Sequence, residues 1–179
     1  QVVIPMASGE LLTKVDKAFA ELVEIGLVPP AQWRVFGAQS VGCDPIVTAL
    51  EAGVDDPSPV RPTGIAKSLN IGDPAAGRYA LEAVRRTGGW MAAVDDDEIR
   101  AGIRLLARTT GIFAETAGGV TVAVLGKLVA NGKLDPAQET VVLNTGDGLK
   151  TLDAVAGLVG PSHRIKPGLR AAREAGLLS

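Results

Sequence analysis

Three short stretches combine small residues, hydroxyls and charges in patterns able to do chemistry. Met6-Ala7-Ser8-Gly9-Glu10 lies between an apolar run and a helical pattern. Small residues in that place let successive backbone N–H groups converge on an anion at a helix N-terminus. The same five residues equally make an ordinary tight turn between strand and helix. Neither the G-x-G-x-x-G nor the G-x-x-x-x-G-K-[ST] spacing is present, so the segment fits no nucleotide fingerprint. The second stretch, Asn144-Thr145-Gly146-Asp147-Gly148-Leu149-Lys150, follows a short apolar run. Thr145 would therefore stand at the carboxyl end of a strand, where open α/β sheets collect ligands. Its hydroxyl can donate to or accept from a heterocyclic nitrogen; the run also suits turn chemistry, with Thr145 as a helix cap. In the third stretch, Glu115-Thr116-Ala117-Gly118-Gly119, paired glycines allow close backbone approach to a ligand or to a neighbouring strand.

Other reactive side chains read as structural. His163 is the only histidine and lies in a polar tail beside Ser162 and Arg164, with no metal-ligand spacing or nucleophile–base arrangement near it, so it is expected on the surface. Cys43 is expected to behave as a small buried apolar side chain. Asp95-Asp96-Asp97 precedes Ile99, Ile103, Leu106 and Ala107, and an acidic triplet there suits the positive end of a helix better than a metal.

These stretches need a scaffold, and the pattern of apolar runs supplies one. Short runs bounded by Gly and Pro alternate with helical spacing, the pattern of βα units in a parallel sheet. Strands are expected near Val2–Pro5, Arg34–Ala38, Trp90–Val94 and Thr140–Leu143. Leu12, Val15, Phe19, Leu22 and Val23 recur at helical spacing, with Gly26 placed to end the helix. Asp44-Pro45 and Asp73-Pro74 each read as an N-cap followed by an N1 proline. Gly118–Ala130 is apolar on nearly every face and predicts an enclosed helix. Val54–Thr63, with three prolines, is an irregular excursion of the kind that lies over a site. A last weak helix is expected over Leu169–Leu177.

The chain has 179 residues, 46% hydrophobic and 21% charged, enough for one domain with a real core. Eighteen basic and 20 acidic residues give a net charge of -2 without a long run of one sign, so a nucleic-acid partner is not expected. One cysteine fits a reducing compartment. No apolar stretch approaches the ~20 residues of a membrane span, and a cytoplasmic, non-membrane protein is expected. Gln1 followed at once by the apolar run Val2-Val3-Ile4 reads as a start in mid-fold, the carboxyl-terminal part of a longer polypeptide.

Taken in order, Val3-Ile4-Pro5-Met6-Ala7-Ser8-Gly9, Gly37-Ala38-Gln39, Ile65 through Pro74, Gly111 through Val120, and Thr145 through Lys150 resemble the C-terminal portion of the threonine synthases over about residues 2–155. The resemblance implies an α/β fold of parallel βα units, the C-terminal part of a type II pyridoxal-phosphate (tryptophan synthase β-like) fold. Residues 1–160 would belong to the large cofactor-binding domain and 161–179 to a tail. It implies pyridoxal 5'-phosphate as cofactor, O-phospho-L-homoserine as substrate, L-threonine and phosphate as products, and a homodimer. Ala7, Ser8, Gly9, Glu10 and Leu11 match the loop that holds the cofactor phosphate, and Thr145 matches the hydroxyl that meets the pyridine nitrogen. Glu115 matches a loop near the ring face, and Lys67, Ser68 and Asn70 match a segment facing the substrate phosphate. Glu10 stands where relatives carry a small or polar residue, so its carboxylate is expected to point away from the anion.

The family's Schiff-base lysine has Ser-Phe-Lys-Asp-like neighbours, and none of Lys14, Lys17, Lys67, Lys127, Lys133, Lys150 or Lys166 has them. The catalytic lysine is thus expected in a missing N-terminal segment, and the chain alone is expected to be inactive. Two other readings fit the residues: a different pyridoxal-phosphate lyase, such as a threonine dehydratase or cysteate-forming enzyme, and a non-catalytic ligand-binding half-domain.

Overall fold

Strands buried on both faces need apolar side chains in both directions, and Val2-Val3-Ile4-Pro5 meets that requirement without a break. The computed structural model describes residues 1–178. The run forms β1 (Val2–Pro5), followed by α1 (Glu10–Glu24), β2 (Val35–Ser40), α2 (Pro45–Ala52), α3 (Gly77–Thr87), β3 (Met91–Val94), α4 (Asp96–Thr110), α5 (Thr116–Ala130), β4 (Val141–Val142) and α6 (Leu169–Glu174). Two 3-10 segments, Lys67–Leu69 and Gly148–Val155, complete the described residues.

All strand pairings are parallel, in the order β3-β2-β1-β4. The twofold alternation along each strand divides the core. Val2, Ile4, Met6, Val35, Met91 and Ala93 face the layer of α1, α2 and α3, where Leu12, Ile46, Leu50, Ala80 and Val84 meet them. Val3, Phe36, Ala38, Ala92 and Val94 face α4 and α5 and pack on Ile99, Ile103, Val120, Val124 and Leu128. The α5 helix lies against the sheet and beneath α4, which is why its sequence is apolar nearly all round. The two helices touch through backbone: a methyl group on Gly119 would lie 2.6 Å from the Ile99 carbonyl oxygen. The second glycine of that pair therefore serves a helix contact rather than a ligand.

Helix starts obey local chemistry in one case and tertiary chemistry in two. Asp95 caps α4: its side chain accepts from the amides of Asp97 and Glu98, and Glu98 returns a bond to the Asp95 amide at 2.8 Å, a complete capping box. At α2 the expected cap by Asp44 does not form. Gln39 reaches from β2, and its Oε1 accepts from the amides of Ile46 at 3.1 Å and Val47 at 3.0 Å. Asp73-Pro74 opens a turn and not a helix. The amide of Ala76 donates to the Ser8 carbonyl at 3.0 Å, which ties that turn to the loop after β1 and delays α3 to Gly77. The last helix is shorter than expected, ending at Glu174. Among the described residues no helix is long and apolar enough to cross a membrane.

Candidate functional site

Parallel strands send all their following loops to one edge, so the topology itself gathers the chemically interesting stretches. Because β1 pairs with both β2 and β4, the loop after β1 and the loop after β4 are neighbours. The register Val3↔Val142 and the bond from the Leu143 amide to the Val3 carbonyl, 3.0 Å, carry the two chains outward side by side. The segments around residues 7–11 and 144–148 thus share one rim.

In the first of these, Gly9 has φ +89°, the left-handed region that a side chain disfavours. A Cβ there would also meet the Ala76 carbonyl oxygen at 3.0 Å and the Ala80 methyl at 3.2 Å. Gly9 forms the N-cap of α1 without a side-chain capping bond. Among the described residues, the amides of Ala7, Ser8, Gly9, Glu10, Leu11 and Leu12 have no intramolecular acceptor. Consecutive donors without an acceptor at the positive end of a 15-residue helix are groups to which an anion can bind. Glu10 is exposed and lines the groove between α1 and α3 with Thr13, Lys14 and Tyr79, and Leu11 is also exposed.

The second loop is zipped to the start of α5. The Glu115 amide donates to the Gly146 carbonyl at 3.0 Å, and the Gly148 amide donates to the Phe113 carbonyl at 2.9 Å. Thr145, the residue before this zip, is exposed, and its hydroxyl has no partner among the described residues. Glu115 is buried, its side chain 3% exposed, and its Oε1 accepts from Lys150 Nζ at 3.0 Å. Glu115 Oε2 and the Thr116 hydroxyl are buried and have no hydrogen-bond partner among the described residues. A Cβ on Gly146 would lie 1.9 Å from Glu115 Oε1, so the carboxylate occupies the space a side chain would need. The first glycine of the pair after Glu115, Gly118, faces the Asn144 side chain, whose Oδ1 would be 2.4 Å from an added Cβ.

The third group, Lys67, Ser68 and Asn70, belongs to a strap across the ends of β2 and β3. The amide of Ile65 donates to Asp96 Oδ1 at 3.2 Å, anchoring the strap to the start of α4. Lys67 and Ser68 are exposed, and Lys67 Nζ pairs with Asp153 Oδ2 at 2.7 Å. That bond and the charge of Lys67 hold the Asp153 carboxyl below its ordinary range. Asn70 Nδ2 donates to the Gly64 carbonyl at 3.3 Å, while its Oδ1 is buried without a partner among the described residues.

Cys43 is buried; burial first, and the Asp44 charge second, push its thiol above the ordinary value. His163 is exposed, beside the Ser162 hydroxyl. Reasoning along the sequence missed the roles of Lys150 and Asp153. Lys150 lies within a stretch already singled out, but nothing in a 35-residue spacing announces its pairing with Glu115.

Residues 1–146 match the family model described as pyridoxal-phosphate dependent enzyme. The threonine synthase of Methanocaldococcus jannaschii is 35% identical over 155 residues, which cover 86% of this chain and 38% of that protein. The threonine synthase of Methanosarcina acetivorans is 32% identical over 176 residues, covering 98% and 43%. Among solved structures, threonine synthase from Escherichia coli superposes with TM-score 0.62 at 23% identity, covering 99% of this chain and 39% of that one. The processed form of threonine deaminase isoform 2 from Solanum lycopersicum gives TM-score 0.66 at 19% identity, covering 89% and 44%. The chain spans less than half the length of these relatives.

Proposed function

The chain belongs to the pyridoxal-phosphate dependent enzymes, and on that premise we propose that it is the C-terminal part of a threonine synthase, converting O-phospho-L-homoserine and water to L-threonine and phosphate. One observation carries this reading: six acceptor-less amides after β1 stand on the same rim as the Thr145 hydroxyl after β4, which has no partner among the described residues. A phosphorylated pyridine needs such a pair of ends, an anion cradle and a hydrogen-bond partner for the ring nitrogen.

Those residues fit pyridoxal 5'-phosphate. Amides of Ala7 through Leu11 would hold its phosphate without a cationic side chain. Thr145 would meet the ring nitrogen; a neutral hydroxyl leaves that nitrogen less protonated than a carboxylate would and tempers the ring. When bound, the cofactor supplies an electron sink for carbanions next to the substrate's amino-bearing carbon. Glu115, on the same rim, keeps Oε2 free to accept a hydrogen bond from a bound group. Lys67 and Ser68 would receive the substrate phosphate, and Lys67 must then exchange its pairing with Asp153 for the incoming anion.

Residues 1–160 would form part of the large domain, with 161–179 a tail; the rest of the protein would supply the Schiff-base lysine, and the whole would work in the cytoplasm as a homodimer. The test is an assay of the whole protein. Phosphate release from O-phospho-L-homoserine is expected. Ammonia release from L-threonine without phosphate release would replace this reading with a dehydratase. Thr145→Val is expected to weaken cofactor binding about tenfold, the scale of one hydrogen bond to a charged or strongly polar group, with little change in unfolding midpoint.

A further inference from the structure

A carboxylate removed from water needs compensation for both of its oxygens, and Glu115 has it for one. Its Oε1 is held by Lys150, while Oε2 is buried and has no partner among the described residues. The Lys150 ammonium reaches in from outside, its side chain being 58% exposed, so the pair joins the surface of the 3-10 segment Gly148–Val155 to the buried start of α5. Between the two ends of this bridge lies the zip formed by Glu115 with Gly146 and by Phe113 with Gly148. Gly146 is pressed against the carboxylate, and Thr145 immediately precedes it.

We propose that Lys150 is a positioning residue of this site: its ion pair with Glu115 clamps the Thr145 loop onto the start of α5 and turns Glu115 Oε2 toward a hydrogen-bond donor of a bound ligand. The geometry favours a clamp over an incidental surface pair. Exposed pairs contribute little, but a pair with one buried member is strongly missed when the other is removed, because a desolvated charge stays behind. The orphan Oε2 is the sign that the arrangement is complete only with a donor that the described residues do not provide. The clamp is a matter of this chain alone; its bearing on cofactor rests on the reading of Thr145 given above.

The test compares Lys150→Met, Lys150→Arg and the double variant Glu115→Gln/Lys150→Met in the whole protein, by amide hydrogen exchange and by equilibrium dialysis with pyridoxal 5'-phosphate. In Lys150→Met, exchange at the Glu115 and Gly148 amides is expected to accelerate about tenfold or more while amides of β1 and β2 keep their protection. Lys150→Arg should restore most of the protection, since a guanidinium can reach the same carboxylate. The double variant removes the stranded charge and keeps the question open should Lys150→Met fail to fold; its two amides should still exchange faster than in the parent. Unchanged exchange at those amides in Lys150→Met, or full protection in the double variant, would overturn the clamp. Cofactor affinity is expected to fall about tenfold in Lys150→Met and to return in Lys150→Arg. Faster exchange with unaltered affinity would overturn the positioning role of Lys150 toward a ligand, leaving only a contact of the fold.

Discussion

The cradle after β1 and the zipped loops beside Thr145 share one rim but are built from different materials. The cradle is made of backbone: its donors are amides, and its shape comes from Gly9 packed under Ala76 and Ala80. The zipped loops depend on side chains, with Glu115 buried, Lys150 reaching it and Gly146 making room. A backbone site is indifferent to most of its side chains and intolerant at the one position that sets the turn. A side-chain site spreads its dependence over residues far apart in sequence.

The sharpest way to break this contrast is at Gly9. Gly9→Val combines a left-handed conformation, costing about 1–2 kcal/mol for an L residue, with a contact at the Ala76 carbonyl. A loss of about 3 kcal/mol is expected by urea unfolding, with loss of phosphate binding. A near-parental midpoint would mean that the cradle is not shaped by this turn. Next comes Gly146→Ala, whose methyl group would require Glu115 Oε1 to move. The expected loss is about 1–3 kcal/mol, and it should shrink when Glu115 is also made Ala. An equal loss in both backgrounds would show that the carboxylate is not what the glycine accommodates.

Smaller effects should mark the cradle's indifference. Ser8→Ala is expected to stay within about 0.5 kcal/mol of the parent and to bind inorganic phosphate comparably, as followed by isothermal titration; a large loss of binding would mean that the hydroxyl, and not the amides, holds the anion. The smallest change concerns Lys67 and Asp153. The folded-state pKa of Asp153 lies below its unfolded value. Its contribution is therefore present at neutral pH and fades as pH falls through the folded value. Lys67→Met should raise the Asp153 midpoint toward the ordinary carboxylate range in an NMR titration, and an unmoved midpoint would dismiss the pair.

How much of this was legible follows the same division. β1 was readable to the residue, because a strand buried on two faces writes itself as a continuous apolar run. The capping box at Asp95 was readable because its partners lie within three residues. Asp44-Pro45 gave the right helix with the wrong cap, since Gln39 belongs to another element and its carbonyl reaches two amides at once. Asp73-Pro74 misled because the amide of Ala76 is engaged by Ser8. The adjacency of the two loops rests on Val2 pairing with Val141, which no local pattern encodes; only the resemblance in motif order pointed to it. Glu115 was noticed for its place before a glycine pair, but its burial and its cation were invisible along the chain.

The parallel pairing of β1 has a kinetic side. Val2 meets Val35 on one flank and Val141 on the other, so the second pairing closes a loop roughly four times longer, at an added entropic cost of about 1.2 kcal/mol. With only two residues in β4, few bonds offset that cost. Docking of β4 is therefore expected late in folding, after β1, β2 and β3 have assembled with their helices. The proposed anion cradle would exist before its counterpart on the rim arrives, and the order in which the molecule folds would also be the order in which the proposed site is assembled.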